Sequence, residues 1–437
     1  MRLTTFSFDF LATKFFFLVS ILLYRISLDA SYFLAVYPAF SYAGFELDIS
    51  PIPYLISWLG GLIFYPLISV KVTRLSELVL LIAYLGLILP MSSYYGITGL
   101  PLYPFAISVL AFLIFHALTR EFFTDFIPSP VKLIQGGLLA KLLSCGLVFF
   151  LVAWYFYSGA FSFFNLDITR VYEFRGSSAE VANIGFLSYL NGWTYQVFNL
   201  FLISVFLLEK RFLLVFLFFA IQVFFFGVTG HKSLLFYPFL LFGVWFYFKQ
   251  SSRIWWLPLL LAGVVFFSVV FYCALNNVWP ISLFVRRVLF VPADLTYDYF
   301  SFFSESDFVL WSNSILSSFL EYPYEHSVPK LIGEYNGSGA GANNGFIASG
   351  YGHAGVLGVV FYTVVFSFLV MILEKFTQEL PLWFSIAITI IPIRSAIVSS
   401  DLFTVILTHG LLVTVILIAL YRHHRYCKRN FDLGTVS

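Results

Sequence analysis

Ile254-Trp-Trp-Leu-Pro-Leu-Leu-Leu-Ala-Gly-Val-Val-Phe-Phe-Ser-Val-Val-Phe-Tyr-Cys-Ala-Leu275 contains no charged side chain. A helix crosses the hydrocarbon core of a bilayer with about 20 such residues, so this stretch reads as a membrane span. Similar runs recur on both sides of it. Twelve qualify, at about 10–28, 52–70, 77–95, 100–119, 137–158, 186–208, 212–228, 233–248, 254–275, 346–373, 380–398 and 402–421. The seventh and eighth are short, and Gly227 and Gly230 between them suggest a broken or re-entrant pair. Such backbone survives at membrane depth only under cover of protein or water. The run near Met1 has no small-residue cleavage site and reads as a retained first span.

Composition agrees. The 437 residues are 60% hydrophobic and 11% charged, with a mean hydropathy of +0.92, whereas a soluble domain carries about 25% charged residues. The expected architecture is an all-α polytopic membrane protein, one integral domain over residues 1–437. A net charge of +2 gives no sign of a nucleic-acid partner. Cys145, Cys273 and Cys427 are scattered and lack metal-ligand spacing, and no HExxH or His cluster appears, so no metal is expected.

Basic residues in short connections set orientation. Arg2, Lys71, Arg74, Arg120, Lys132, Lys210, Arg211, Lys249, Arg253, Lys375 and the tail from Arg422 to Arg429 fall on one side of this map. The short connections opposite offer only Arg25 and Lys232. Both termini are therefore expected in the cytoplasm, with two long outer loops at about 159–185 and 276–345. The basic tail reads as an anchor to anionic lipid.

The outer connections hold the residues suited to chemistry. Arg170 and Arg175 flank Glu173. They form either a solvated ion pair or an anion clamp, since a guanidinium presents a planar fork to phosphate oxygens. Lys232 lies in Gly227-Val-Thr-Gly-His-Lys-Ser233. This is no Walker loop, because His231 precedes the Lys and the spacing is wrong. Lys232 either snorkels outward or serves as a cation on a glycine-loosened turn. Arg286 and Arg287 stand among apolar residues in Phe284-Val-Arg-Arg-Val-Leu-Phe-Val-Pro292. Arg394 follows Pro392 and either pairs with Asp401 or lines a polar pocket. Glu325-His326 is a candidate acid/base pair. In Ala342-Asn-Asn-Gly-Phe-Ile-Ala-Ser-Gly-Tyr-Gly-His353 the glycines suit close helix packing. His353 can accept a proton near neutral pH. Asn343 and Asn344 can hydrogen-bond a sugar or cap a helix, and Tyr324 can stack on a sugar face.

Four stretches, in this order, resemble the O-antigen polymerase family (Wzy-type oligosaccharide repeat-unit polymerases) of Gram-negative inner membranes. They are Leu23-Tyr-Arg-Ile-Ser-Leu-Asp29, Gly230-His-Lys-Ser233, Arg287 to Pro292-Ala293, and Ala342 to Gly352 with the glycine-rich span after it. The pattern covers nearly the whole chain. It departs from the family at the loop arginines: Arg175 to Gly185 is one residue short of the R-x10-G spacing, and Arg170 has no match.

The resemblance implies a membrane-embedded glycosyltransferase of the GT-C-like, lipid-donor class. Its donor would be a growing glycan on undecaprenyl pyrophosphate. Its acceptor would be a sugar hydroxyl of a new lipid-linked unit. The further partners implied are membrane lipid and a chain-length regulator, with no cofactor. Roles then follow as expectations. Arg170 or Arg175, Lys232, Arg286 or Arg287, and Arg394 hold pyrophosphate. His353 or Glu325 takes the proton, with Arg287 assisting. Asn343, Asn344 and Tyr324 hold glycan. Two other readings share the topology, an O-antigen ligase and a transporter or flippase of lipid-linked oligosaccharide. Asn343 stands where the ligases carry His, and two half-repeats suited to a transporter are not visible.

Overall fold

The computed structural model describes residues 2–129 and 135–422, with the side chains of residues 2–11, 122 and 172 left out. Lys132 and the tail from His423 through Cys427 to Arg429 lie outside the described residues. Among those described, the regular structure is helical, apart from an isolated antiparallel bridge between Lys71 and Arg253. Eight helices are long and apolar enough to cross a membrane, and Pro51–Leu67, Leu102–Leu118 and Leu382–Val398 are shorter apolar helices. Leu257–Leu275 shows why lipid is required. Leu259, Leu260, Phe266 and Phe267 lie exposed along it, an apolar face that water would not tolerate at this extent. The chain is a polytopic helical protein embedded in a membrane.

It divides into two compact units. One comprises Met1–Arg120, Ser252–Leu369 and Ala396–Leu402, the other Glu121–Ser251, Val370–Ser395 and Phe403–Ser437.

In the first unit the helix Arg2–Ser31 packs along Leu257–Leu275, and Pro51–Leu62 along Leu89–Thr98. A buried ion pair ties three of these helices together. Arg25 donates to Asp29 one turn on and to Ser57 Oγ at 3.0 Å. Asp29 also accepts from Tyr54 Oη at 2.8 Å and Ser93 Oγ at 2.5 Å. A charge in the bilayer is tolerated when it is paired and hydrogen-bonded in this way. Gly96 lets the second pair approach, because a Cβ there would stand 2.2 Å from Ser57 Oγ.

Three expectations need correction. The stretch 276–345 is not simply a loop. A wide π-type helix, Ile281–Phe290, continues as Val291–Glu305, and Val328–Tyr335 forms a further helix. Ile281, Val285, Leu289, Ala293, Tyr297 and Phe300 are buried, so this stretch has an apolar face of its own to pack. The tenth span is not continuous. Ala354 (φ −154°, ψ 34°) and Gly355 (φ 60°, ψ −141°) break it. The limb that begins at Phe346 then doubles back against the one that follows, and a Cβ on Gly358 would lie 2.0 Å from Gly350 O. The glycines do permit close packing: Gly350 and Gly358 between two limbs of one folded helix, Gly345 against the Ile397 carbonyl and Gly352 against the Phe303 ring. Finally, the seventh and eighth runs are unbroken helices of 18 and 19 residues, Phe212–Thr229 and Lys232–Gln250, so the break lies in the tenth run instead.

In the second unit, Asn199 and Gln222 form a buried amide pair at 2.6 Å. Gln222 Nε2 donates onward to Tyr195 O and Leu234 O at 3.0 and 3.3 Å. These bonds fasten Leu187–Leu208, Phe212–Thr229 and Lys232–Gln250 into a sheaf. The outer connection expected as a loop at about 159–185 contains the helix Val171–Ala182.

Candidate functional site

Each of the two units gathers polar groups of its own. In the second unit the helix Phe212–Thr229 ends on Gly230, whose φ of +67° is in the left-handed region that glycine occupies without strain. The next residues, His231 and Lys232, open the helix Lys232–Gln250. The helix Val171–Ala182 lies against this turn. A Cβ on Gly230 would meet Val171 O at 3.1 Å and Arg175 Cβ at 3.3 Å. Ser178 Oγ donates to Val228 O at 2.7 Å, and Asn165 N to Gly227 O at 2.9 Å, fixing the approach.

Arg175 is thus carried to the positive end of a 19-residue helix that begins with Lys232, an arrangement suited to anions. His231 packs against Tyr195 with ring centroids 6.2 Å apart. Burial, then Arg175, then His409 push its imidazole down to about 4, so it is neutral at physiological pH and acts as a hydrogen-bonding group. Arg170 has a different role, because it closes on Glu173 at 2.7 Å with both side chains 59% exposed. It is the solvated ion pair, while Arg175 is the residue placed over the turn. Arg394 is half-buried in the helix Leu382–Val398 of the same unit.

The first unit holds the other nominated residues. Arg286 places its guanidinium over the Phe40 ring at 4.4 Å, and its buried Nε has no hydrogen-bond partner. Arg287 is exposed. Farther along the same helical run come Asp294 and Asp298. Tyr94 Oη donates to Asp294 Oδ1 at 2.6 Å. Burial, reinforced by the negative charge of Asp298 and opposed by Tyr94 and Arg286, raises the Asp294 carboxyl to about 7. Asp298 is also raised by burial, and Asn336 Nδ2 donates to its Oδ2 at 3.0 Å. Next to Asn336, Tyr335 is 53% exposed. Its ring meets Phe302 at 5.5 Å, and Phe302 meets Tyr324 at 6.0 Å. Tyr324 Oη donates to Asp307 O. Glu325 is exposed on the adjoining turn.

His353 is only 4% exposed. The Trp311 backbone N–H donates to its Nδ1 at 3.2 Å, the indole stacks on it at 5.1 Å, and its Nε2 faces Asp401 Oδ2 at 3.4 Å. With Nδ1 accepting, the neutral ring carries its proton on Nε2, toward Asp401. Tyr362 Oη donates to the same Asp401 oxygen at 2.8 Å. Both ring nitrogens are therefore occupied, and His353 acts as a clamp at the folded-back helix. The expectation that it accepts a proton conflicts with this geometry. Asn344 is similarly engaged. It is buried, its Nδ2 donates to Pro292 O at 2.9 Å and Thr296 Oγ1 at 3.0 Å, and its Oδ1 accepts from Gly345 N at 2.8 Å. It holds backbone in place, whereas Asn343 beside it is exposed.

The nominated residues thus fall into two groups: Arg170, Arg175, Lys232 and Arg394 in the second unit; Arg286, Arg287, Tyr324, Glu325, Asn343, Asn344 and His353 in the first. Sequence reading missed Asp294, Asp298, Asn336 and the Trp311–His353–Asp401 clamp. The four-residue spacing of the two aspartates was the available signal, and it counts only once the stretch is taken as helical. No protein family, curated protein or solved structure matches the chain.

Proposed function

We propose that this protein polymerises lipid-diphosphate-linked saccharide units at the outer face of a bacterial inner membrane, as O-antigen polymerases do. It would be a GT-C-like glycosyltransferase of about twelve spans with cytoplasmic termini. The growing glycan leaves undecaprenyl pyrophosphate and joins a sugar hydroxyl of a new lipid-linked unit.

The observation that carries this reading is the packing of Arg175 on the Gly230 turn, where His231 and Lys232 open a long helix. Departure of the glycan leaves negative charge on the lipid diphosphate. Fixed cations and a helix N-terminus stabilise that charge without reorganising. Both groups of residues lie on connections that the Lys and Arg distribution assigns to the outside, where a flipped lipid-linked unit presents its saccharide.

The test uses the purified protein and the lipid-linked saccharide that accumulates in cells deleted for its gene. Mass analysis should show products longer by whole repeat units. Arg175→Ala should reduce turnover on the order of 100-fold, the usual effect of removing one preorganised donor to developing charge. Wild-type protein that leaves the saccharide length unchanged would overturn the proposal. Transfer only onto a lipid A core acceptor would replace it with ligation.

A further inference from the structure

We infer that Asp298 accepts the proton of the attacking sugar hydroxyl, and that Asn336 and the rings of Phe302, Tyr335 and Tyr324 hold the acceptor saccharide beside it. This inference rests on the polymerase reading and adds to it a catalytic residue and an acceptor subsite.

The helix Val291–Glu305 provides the frame. Asp294, Asp298 and Phe302 are spaced by four residues and so share one face. Asp294 is capped by the buried Tyr94 hydroxyl, whereas Asp298 is met by the exposed amide of Asn336. Of the two carboxylates, Asp298 is therefore the one that opens outward. One turn farther, Phe302 is contacted by both Tyr335 and Tyr324. A carboxylate and a carboxamide 3.0 Å apart offer acceptors and donors for neighbouring sugar hydroxyls. Aromatic rings beside them take the apolar face of a pyranose. No other pair among the nominated residues combines these features, since His353 is occupied at both nitrogens and Glu325 stands on an exposed turn.

In the proposed step the acceptor oxygen forms a bond to the anomeric carbon of the donor glycan. The bond from that carbon to the diphosphate oxygen breaks, and its electron pair leaves with undecaprenyl pyrophosphate. The hydroxyl proton passes to Asp298. Burial raises the Asp298 carboxyl from its ordinary value, opposed by the Asn336 hydrogen bond, and a raised pKa makes a carboxylate a stronger base. The titratable groups around it are Asp294 on the same helix face, which Arg286 in turn influences, and the neutral Tyr94 phenol from a neighbouring helix, with the uncharged Asn336 amide beside it.

The experiment measures lengthening of the accumulated lipid-linked saccharide from pH 5 to 9 by wild type, Asp298→Asn, Asp298→Glu and Asp294→Asn. A second arm measures binding of the saccharide released from that lipid by mild acid to wild type and Tyr335→Ala. Asp298→Asn should lower kcat at least about 100-fold with little change in KM, and Asp298→Glu should restore part of it. Asp294→Asn should leave the acidic limb of the kcat profile in place, because Asp294 is still neutral while Asp298 ionises: the charge of Asp298 raises Asp294, and the Asp298 carboxyl is raised by burial. Tyr335→Ala should weaken saccharide binding about tenfold or more. If wild type lengthens the saccharide and Asp298→Asn matches it, the inference fails and the polymerase reading stands. If wild type lengthens nothing yet binds the released saccharide through Tyr335, the reading fails and the subsite remains. Protein that neither lengthens nor binds overturns both.

Discussion

The Asp294 carboxyl makes the stability of the first unit depend on pH in an unusual direction. A group that titrates at about 7 when folded and at 3.8 when unexceptional disfavours the folded state, once ionised, by about 4 kcal/mol, at 1.36 kcal/mol per pH unit. The folded pKa is raised, so between these values the folded chain holds a proton that the unfolded chain has lost. Stability therefore falls as pH rises from about 4 to about 7 and levels off above that. Asp294→Asn removes the titration and keeps an oxygen to accept from Tyr94. Thermal unfolding of purified protein in one detergent, from pH 4 to 8, should show wild type and variant alike at pH 4. The variant should become progressively more stable, with a difference of several degrees by pH 8. Other carboxylates contribute to both proteins and cancel in the difference. A difference that is flat across this range, or that shrinks as pH rises, would refute the assignment of a desolvated carboxyl at 294.

Two further substitutions test the frame around the sites. Asp29→Ala strands the fully buried Arg25, and should destabilise the protein by about 3–5 kcal/mol; adding Arg25→Met should recover most of the loss, read as the fraction that stays monodisperse on heating in detergent. His353→Ala leaves the Trp311 N–H without its acceptor and removes the imidazole that faces Asp401, which should lower stability by about 1–3 kcal/mol. Turnover per folded molecule should stay within about tenfold of wild type, since a clamp is lost and not a proton acceptor; a larger loss measured on well-folded protein would return His353 to the chemistry.

The apolar runs were legible because lipid leaves a chain few options: about 20 apolar residues in a helix satisfy their own backbone, and each run must meet that condition alone. The breaks were less legible. Gly227 and Gly230 drew attention as a possible interruption, but Gly230 serves a tight reversal between two whole helices. The interruption falls at Ala354 and Gly355, where the Ser349-Gly-Tyr-Gly-His-Ala-Gly355 stretch dips in hydropathy ahead of a strongly apolar run. Glycine spacing tells how closely something approaches, not what approaches, and here the partner of Gly350 is its own chain eight residues on.

The candidate sites divide in the same way. Arg175 and Lys232 could be chosen by charge and side of the membrane, yet what gathers them is a contact between Val171–Ala182 and the Gly230 turn, distant in sequence from each other. Asp294 and Asp298 went unread for a more local reason. Ile281–Phe290 is a π-type helix whose buried Ile281, Val285 and Leu289 recur every four residues, and so short an apolar stripe set among Ser and Arg imitates a loop. Composition worked in the same direction, since Arg, Asp, Ser and Tyr are enriched where lipid ends and are common in real loops. The four-residue spacing of Asp294, Asp298 and Phe302 reads as a single presented surface only after the helix is known, and on that surface Asp298 accepts from Asn336 one turn from the paired rings of Phe302 and Tyr335.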